Sequence, residues 1–189
     1  MTPLELVNGP LSLYWAPVGE AFPDIDAAPA GNWALIGTSG ANNYTEDGVT
    51  LAFDKSIEVF RGLGTTFPLK AFVTETDVFV RVEMADLSLS EFRQALNLNA
   101  VNVDAGPPAI EDINFDIGAD PNDLALLVRG VSKSPQFLTG NLQFELNRVI
   151  EIASHELIFV KGEPAGVNLE FQLLLDSAGA VGRVVVQTA

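Results

Sequence analysis

Apolar and polar residues alternate along most of this chain with a period of two, the spacing of strands that bury one face. In VTLAFDKSIEVF (49–60), Val49, Leu51, Phe53, Ile57 and Val59 share one face, and Thr50, Asp54, Ser56 and Glu58 share the other. Lys55 interrupts the apolar face and Phe60 ends the polar one. DVFVRVEM (77–84) repeats the pattern, setting Val78, Val80, Val82 and Met84 against Asp77, Phe79, Arg81 and Glu83. Between them lie a turn-like RGLGTTFP and a short apolar LKAFV. Alternation returns in INFDI (113–117) and over NLQFELNRVIEI (141–152). There Gln143, Glu145, Asn147 and Glu151 oppose Leu142, Phe144, Leu146, Ile150 and Ile152. ALLVRGV (125–131) is continuously apolar, and HELIFVKG, VNLEFQLLL and VGRVVVQ complete the strands.

One segment has helical spacing. In DLSLSEFRQALN, Ser88 stands three residues before Glu91 as a capping box, and Leu87 and Phe92 occupy the positions of a hydrophobic staple. Leu89, Phe92 and Leu96 form one narrow stripe, so a single helix is predicted over 88–97, able to cover one sheet. No helix separates consecutive strands, which excludes βαβ units. The predicted class is mainly β (α+β): an antiparallel β-sandwich or partial barrel with one flanking helix. Residues 1–48, punctuated by Pro10, Pro17, Pro23, Pro29, Gly37, Gly40 and Gly48, read as an extended N-terminal arm ahead of a β domain at 49–189, one domain in all. The arm carries both tryptophans, Trp15 and Trp33, which argues that it packs on its own core or on a neighbour.

Composition narrows the chemistry. With 189 residues, 48% hydrophobic and 19% charged, the chain buries a sizeable core and is not intrinsically disordered. Cysteine is absent, which removes disulfides, thiolate nucleophiles and Cys-ligated metals, and His155 is the only histidine. Twenty-five acids against ten bases give a net charge of −15, and no two basic residues are adjacent, so a phosphate-gripping surface is not expected. The first 54 residues hold no Lys or Arg, unlike a secretory leader or transit peptide. No apolar run approaches the ~18–20 residues of a membrane span, and a soluble chain is expected.

Motifs with catalytic or metal-binding associations fall short. His155-Glu156 opens like a zincin, but Phe159 stands where the second histidine belongs. GTSG (37–40) lacks the nucleophile-elbow pattern, and GLG (62–64) lacks the third glycine of a dinucleotide loop. Asp112, Asn114, Asp116 and Asp123 have several spacings of a calcium loop, yet Ile117 occupies the position that requires glycine. No metal, no cofactor and no catalytic residue is expected. What remains is the acidic strand faces, either the solvated side of a sandwich or surfaces that close with further copies into a ring.

The order of features resembles the major tail (tail tube) proteins of long-tailed, siphovirus-like bacteriophages. The residues that carry the likeness are GNWALIGTSG (31–40), YTEDGVTLAFDKSIEVFRG (44–62), FVTETDVFVRVEMADLSLSEFRQALN (72–97) and FVKGEPAGVNLEFQLLLD (159–176), and the likeness covers roughly residues 10 to 176 as an ordered series. The resemblance implies a structural virion protein of the phage tail, made in the host cytoplasm. It implies six-fold rings stacked into a hollow tube that conducts DNA during ejection. The implied partners are further copies of the chain and the tail terminator, tail-tip and tape-measure proteins, with DNA passing through unbound and no membrane. Under that reading Thr50, Asp54, Ser56, Glu58, Asp77, Glu83, Glu145, Asn147, Glu151 and Glu170 are lumen-lining candidates. Leu13, Trp15, Phe22, Trp33, Leu63 and Phe67 are inter-ring candidates. The alternatives are the tube of a phage-like particle (a tailocin, a gene transfer agent or a secretion-system tube) and a β-sandwich decoration or binding module.

Overall fold

A computed structural model describes residues 7–37, 44–85, 88–98, 101–115, 120–132, 140–155 and 166–187. Among the described residues the regular structure is ten strands and one short helix: β1 (Val7–Pro17), β2 (Ala34–Leu35), β3 (Tyr44–Phe60), β4 (Lys70–Met84), α1 (Leu89–Ala95), β5 (Val101–Asp104), β6 (Ile110–Ile113), β7 (Leu124–Ser132), β8 (Gly140–Glu151), β9 (Val167–Leu173) and β10 (Gly182–Val186). The mainly-β, antiparallel, sandwich-like class expected from the alternation is what forms, without closing into a barrel. One eight-stranded sheet runs β2-β1-β7-β8-β9-β4-β3, with β10 also paired to β8, and β5–β6 form a separate hairpin.

The sheet folds over its inner face to enclose the core. Leu13, Leu126, Val128 and Leu146 from the β1-β7-β8 half meet Val80, Val82, Leu169 and Phe171 from the β4-β9 half. Tyr44, at the start of β3, links the two ends of the fold: its hydroxyl donates to the Ile36 carbonyl at 2.7 Å and accepts from the Leu13 amide at 3.1 Å. Burial pushes that phenol up to about 12, so it stays protonated at any ordinary pH.

Of residues 1–48, those described in β1, β2 and the start of β3 are part of the main sheet rather than an arm beside it. β1 is an interior strand between β2 and β7, and β3 runs unbroken through residues 48 and 49. Both faces of β1 are covered. Leu13 lies in the main core with Trp15 against it, while Ala16 joins Trp33, Ala125 and Leu127 in a second cluster on the outer face, flanked by Tyr14 and Phe22. A strand covered on both sides has no polar alternation to display, so its sequence reads as an apolar island.

The capping box is present in part: Ser88 accepts from the Glu91 amide and starts α1, one turn shorter than the expected 88–97. Leu87, the other half of the expected staple, lies outside the described residues; Phe92 packs on the core. The helix stops in a left-handed pair, Asn97 (φ 55) and Leu98 (φ 59), with the Leu98 amide bonded back to the Arg93 carbonyl at 2.8 Å, a Schellman stop. LKAFV and DVFVRVEM are one strand rather than two, because a bulge between Ser56 and Ile57 absorbs Thr74 without ending β4. β6 occupies 110–113, ending where the expected 113–117 strand begins; residues 116 and 117 of that stretch lie outside the described residues. The strand expected in HELIFVKG lies from residue 156 outside the described residues.

Candidate functional site

Beyond the core, the sheet presents two surfaces that the described residues do not cover: the outer face of β3-β4-β9 and a ribbon extending from β3 and β4. Pairing fixes the outer face. Thr50 is opposite Arg81 and Arg81 opposite Glu170, Asp54 is opposite Asp77, and Glu83 is opposite Asn168. Directly opposed residues point the same way. Thr50, Asp54, Ser56, Glu58, Asp77, Glu83 and Glu170 therefore share one continuous surface. Asp54 facing Asp77 is a like-charge cross-strand pair, unfavourable for an isolated sheet. The Gln172 amide donates to Asp77 at 3.1 Å.

Arg81 is a cation set in this face. Its guanidinium pairs with Glu170 at 2.6 Å and lies over the Phe79 ring at 5.2 Å. The hydrogen bond it donates to Glu170 raises its pKa, so it stays charged throughout the ordinary range. It neutralises one carboxylate and leaves the face acidic.

The three candidates on β8 do not belong to this surface. Glu145 is 2% exposed. One of its carboxylate oxygens accepts from Gln143 and the other from Arg183. Gln143 and Arg129 reach in turn to the carbonyls of Pro23, Asp24 and Ala27. This network fastens residues 20–27 across the outer face of β7 and β8, and burial lowers the pKa of Arg129. Asn147 is half-buried and donates to Asp176 at 2.8 Å; the Ala180 amide foremost, then Asn147, hold that carboxyl below its usual range. Glu151 has changed faces. β7 pairs Leu126 with Leu146 but Leu124 with Val149, so an irregularity at 147–148 breaks the alternation, and Glu151 lies opposite Phe171 on the inner side. There it meets His155, whose Nε2 is 3.3 Å from its carboxylate.

The inter-ring candidates also divide. Leu13 and Trp33 are buried in the protein's own clusters, Trp15 packs on the core, and Phe22 stacks on Trp33 with ring centroids 5.1 Å apart. These four are spent on the fold, because the segment that carries them is an integral strand and its return. At the tip of the ribbon Leu63 is fully exposed and Phe67 largely so.

The ribbon is the second surface. β4 pairs with β9 only over Phe79–Met84; from Lys70 to Val78 its neighbour among the described residues is β3 alone. At ~3.3 Å per residue this stretch projects about 30 Å. Its inner side continues the core face beyond the core, interrupted once by the Lys55–Thr76 pair: Phe53, Ile57, Val59 and Val73 follow Leu51 and Val80 in register and are 45–61% exposed. The alternation that marks a buried face is thus legible in the sequence, but among the described residues nothing buries it.

Among the described residues no group of three His, Cys, Asp or Glu side chains is placed to hold a metal ion. Asp112 lies in β6 bonded to Asn102 at 2.8 Å, while Asp116, Phe159 and most of GTSG lie outside the described residues. No described helix is long and apolar enough to cross a membrane. No protein-family model matches the chain, and no curated protein matches it.

Proposed function

We propose that this protein is a structural, non-enzymatic subunit that assembles with copies of itself into stacked six-fold rings, a hollow tube of the phage-tail type through which DNA passes. The observation that carries this reading is the ribbon: a core-type apolar face, in register with the core, projecting about 30 Å from a sheet that ends in a long edge strand, β3. Isolated two-stranded ribbons are marginal in water, and long apolar edges invite pairing. Assembly resolves both. The acidic β3-β4-β9 face then lines the channel, with Thr50, Asp54, Ser56, Glu58, Asp77, Glu83 and Glu170 toward the lumen.

The sign of that face suits a conduit. Two like charges ~10 Å apart in water repel by about 0.4 kcal/mol before screening, and the Debye length is about 8 Å. One carboxylate hardly affects a passing phosphate, but rings of them keep a duplex from adhering along the wall. A basic lining would gain affinity by counterion release at every ring. The test is co-sedimentation of assembled protein with duplex DNA at 50 mM salt. Wild-type assemblies leave the DNA in the supernatant, and Asp54→Lys with Glu58→Lys brings it down in a salt-sensitive manner. Retention of DNA by wild-type assemblies, or none by the variant, contradicts this lining.

A further inference from the structure

The ribbon tip and the β5–β6 hairpin are matched opposites on one chain. From Val59 to Thr74 the tip carries Arg61 and Lys70 and no acid, although the chain as a whole carries −15. Its apolar side chains stand free: Leu63 is 108% exposed, Phe67 80% and Leu69 61%. The β5–β6 region, residues 101–115, carries Asp104, Glu111 and Asp112 and no base, beside exposed Val103, Ile110 and Phe115.

These two surfaces lie at opposite ends of β4. The tip begins at Lys70, whereas α1 follows Met84 within five residues and packs against β5 and β6. At ~3.3 Å per residue the length of β4 separates them by about 50 Å, too far for one to reach the other within a chain. A tip meeting a second tip would oppose two pairs of like charges. A tip meeting a hairpin opposes unlike charges around apolar contact.

Resting on the self-assembly proposed above, we infer that the ribbon tip of one copy docks on the β5–β6 hairpin of the next, head to tail. Such a heterologous contact repeats without using itself up and extends the assembly along β4. The exposed aromatic and aliphatic side chains supply the contact area, and Lys70 and Arg61 against Glu111 and its neighbours fix its polarity.

The chain has no cysteine, which makes cross-linking a direct test. Leu63→Cys with Val103→Cys, both at exposed positions, should give a ladder of disulfide-linked dimers, trimers and higher species on mild oxidation, and each single variant should stay monomeric on the denaturing gel. Dimers from Leu63→Cys alone would show tip-to-tip contact and overturn the inference. Assemblies that sediment but give no ladder from the double variant would overturn the docking and leave self-assembly standing. If the unsubstituted chain never assembles, both fall. As an independent measure, Lys70→Glu and Glu111→Lys should each raise the half-assembly concentration about tenfold, and the combined variant should return to within about threefold of wild type. No recovery in the combined variant would count against the pairing.

Discussion

Ile57 and Val73 face each other across the ribbon, on the side that continues the core face, and they are 60% and 58% exposed. Replacing both with serine separates folding from assembly. Burying a side chain of this size contributes about 1.5–3 kcal/mol. The isolated fold has collected less than half of that at each position, so the double variant should lose about 2 kcal/mol of folding stability. Assembly that buries the remaining three-fifths of each side chain draws about 1.5 kcal/mol from each, or about 3 kcal/mol per contact. At 1.4 kcal/mol per tenfold, the concentration needed for half-assembly should rise about a hundredfold. Thermal unfolding by circular dichroism reads the first quantity, and the sedimenting fraction across a dilution series reads the second. A modest fall in Tm with a collapse of assembly is the expected result. Assembly that persists at the wild-type concentration would refute the claim that this face is buried between copies.

Three further perturbations test the fold that holds these surfaces. Tyr44→Phe removes the acceptor for the Leu13 amide and the donor to the Ile36 carbonyl, and should cost about 1–3 kcal/mol in urea unfolding; an unchanged midpoint would show that the link between the two ends of the sheet is dispensable. Arg129→Ala removes the two bonds donated to the Asp24 and Ala27 carbonyls that help hold residues 20–27 to the sheet; cleavage after Glu20, Asp24 or Asp26 by an acid-specific protease should accelerate while the core remains protected, and unchanged cleavage would contradict the fastening. The hydrogen bond to Glu151 raises the pKa of His155 above the 6.5 of a free imidazole. Stability from that pair is then fully present below pH 6.5 and is lost as pH rises through the higher folded-state value. His155→Gln should abolish this part of the pH dependence, and an identical profile in both proteins would refute the ion pair.

Where the chain buries one face, its architecture is legible in the sequence. The alternation at 49–60 and 77–84 assigns those stretches of β3 and β4 to the correct sides, and Ser88 marks the helix start. The acidic surface on β3-β4-β9 follows directly from that alternation. Legibility ends where one face is not simply core and the other water. β1 is covered on both sides, so LSLYWAP displays no period, and its prolines resemble those of a loop. In β8 the consecutive polar pair Asn147-Arg148, between Leu146 and Val149, was the signal of the change of face. A strict period of two carried past it assigns Glu151 to the wrong side. Glu145 gives no signal of its own, since its burial depends on residues 20–27 folding back from more than a hundred positions away in sequence. Leu63 and Phe67 were legible as turn residues with apolar side chains, but only the sheet topology shows that they stand at the end of an unsupported ribbon.

The central claim is that the exposed ribbon and edge exist to be covered by further copies of this chain, forming a hollow tube. Negative-stain electron microscopy of the purified protein over a concentration series tests it most directly. The account predicts six-fold rings or hollow tubes whose abundance rises with concentration. Monomeric particles at every concentration, with the ribbon resistant to protease on its own, would contradict it.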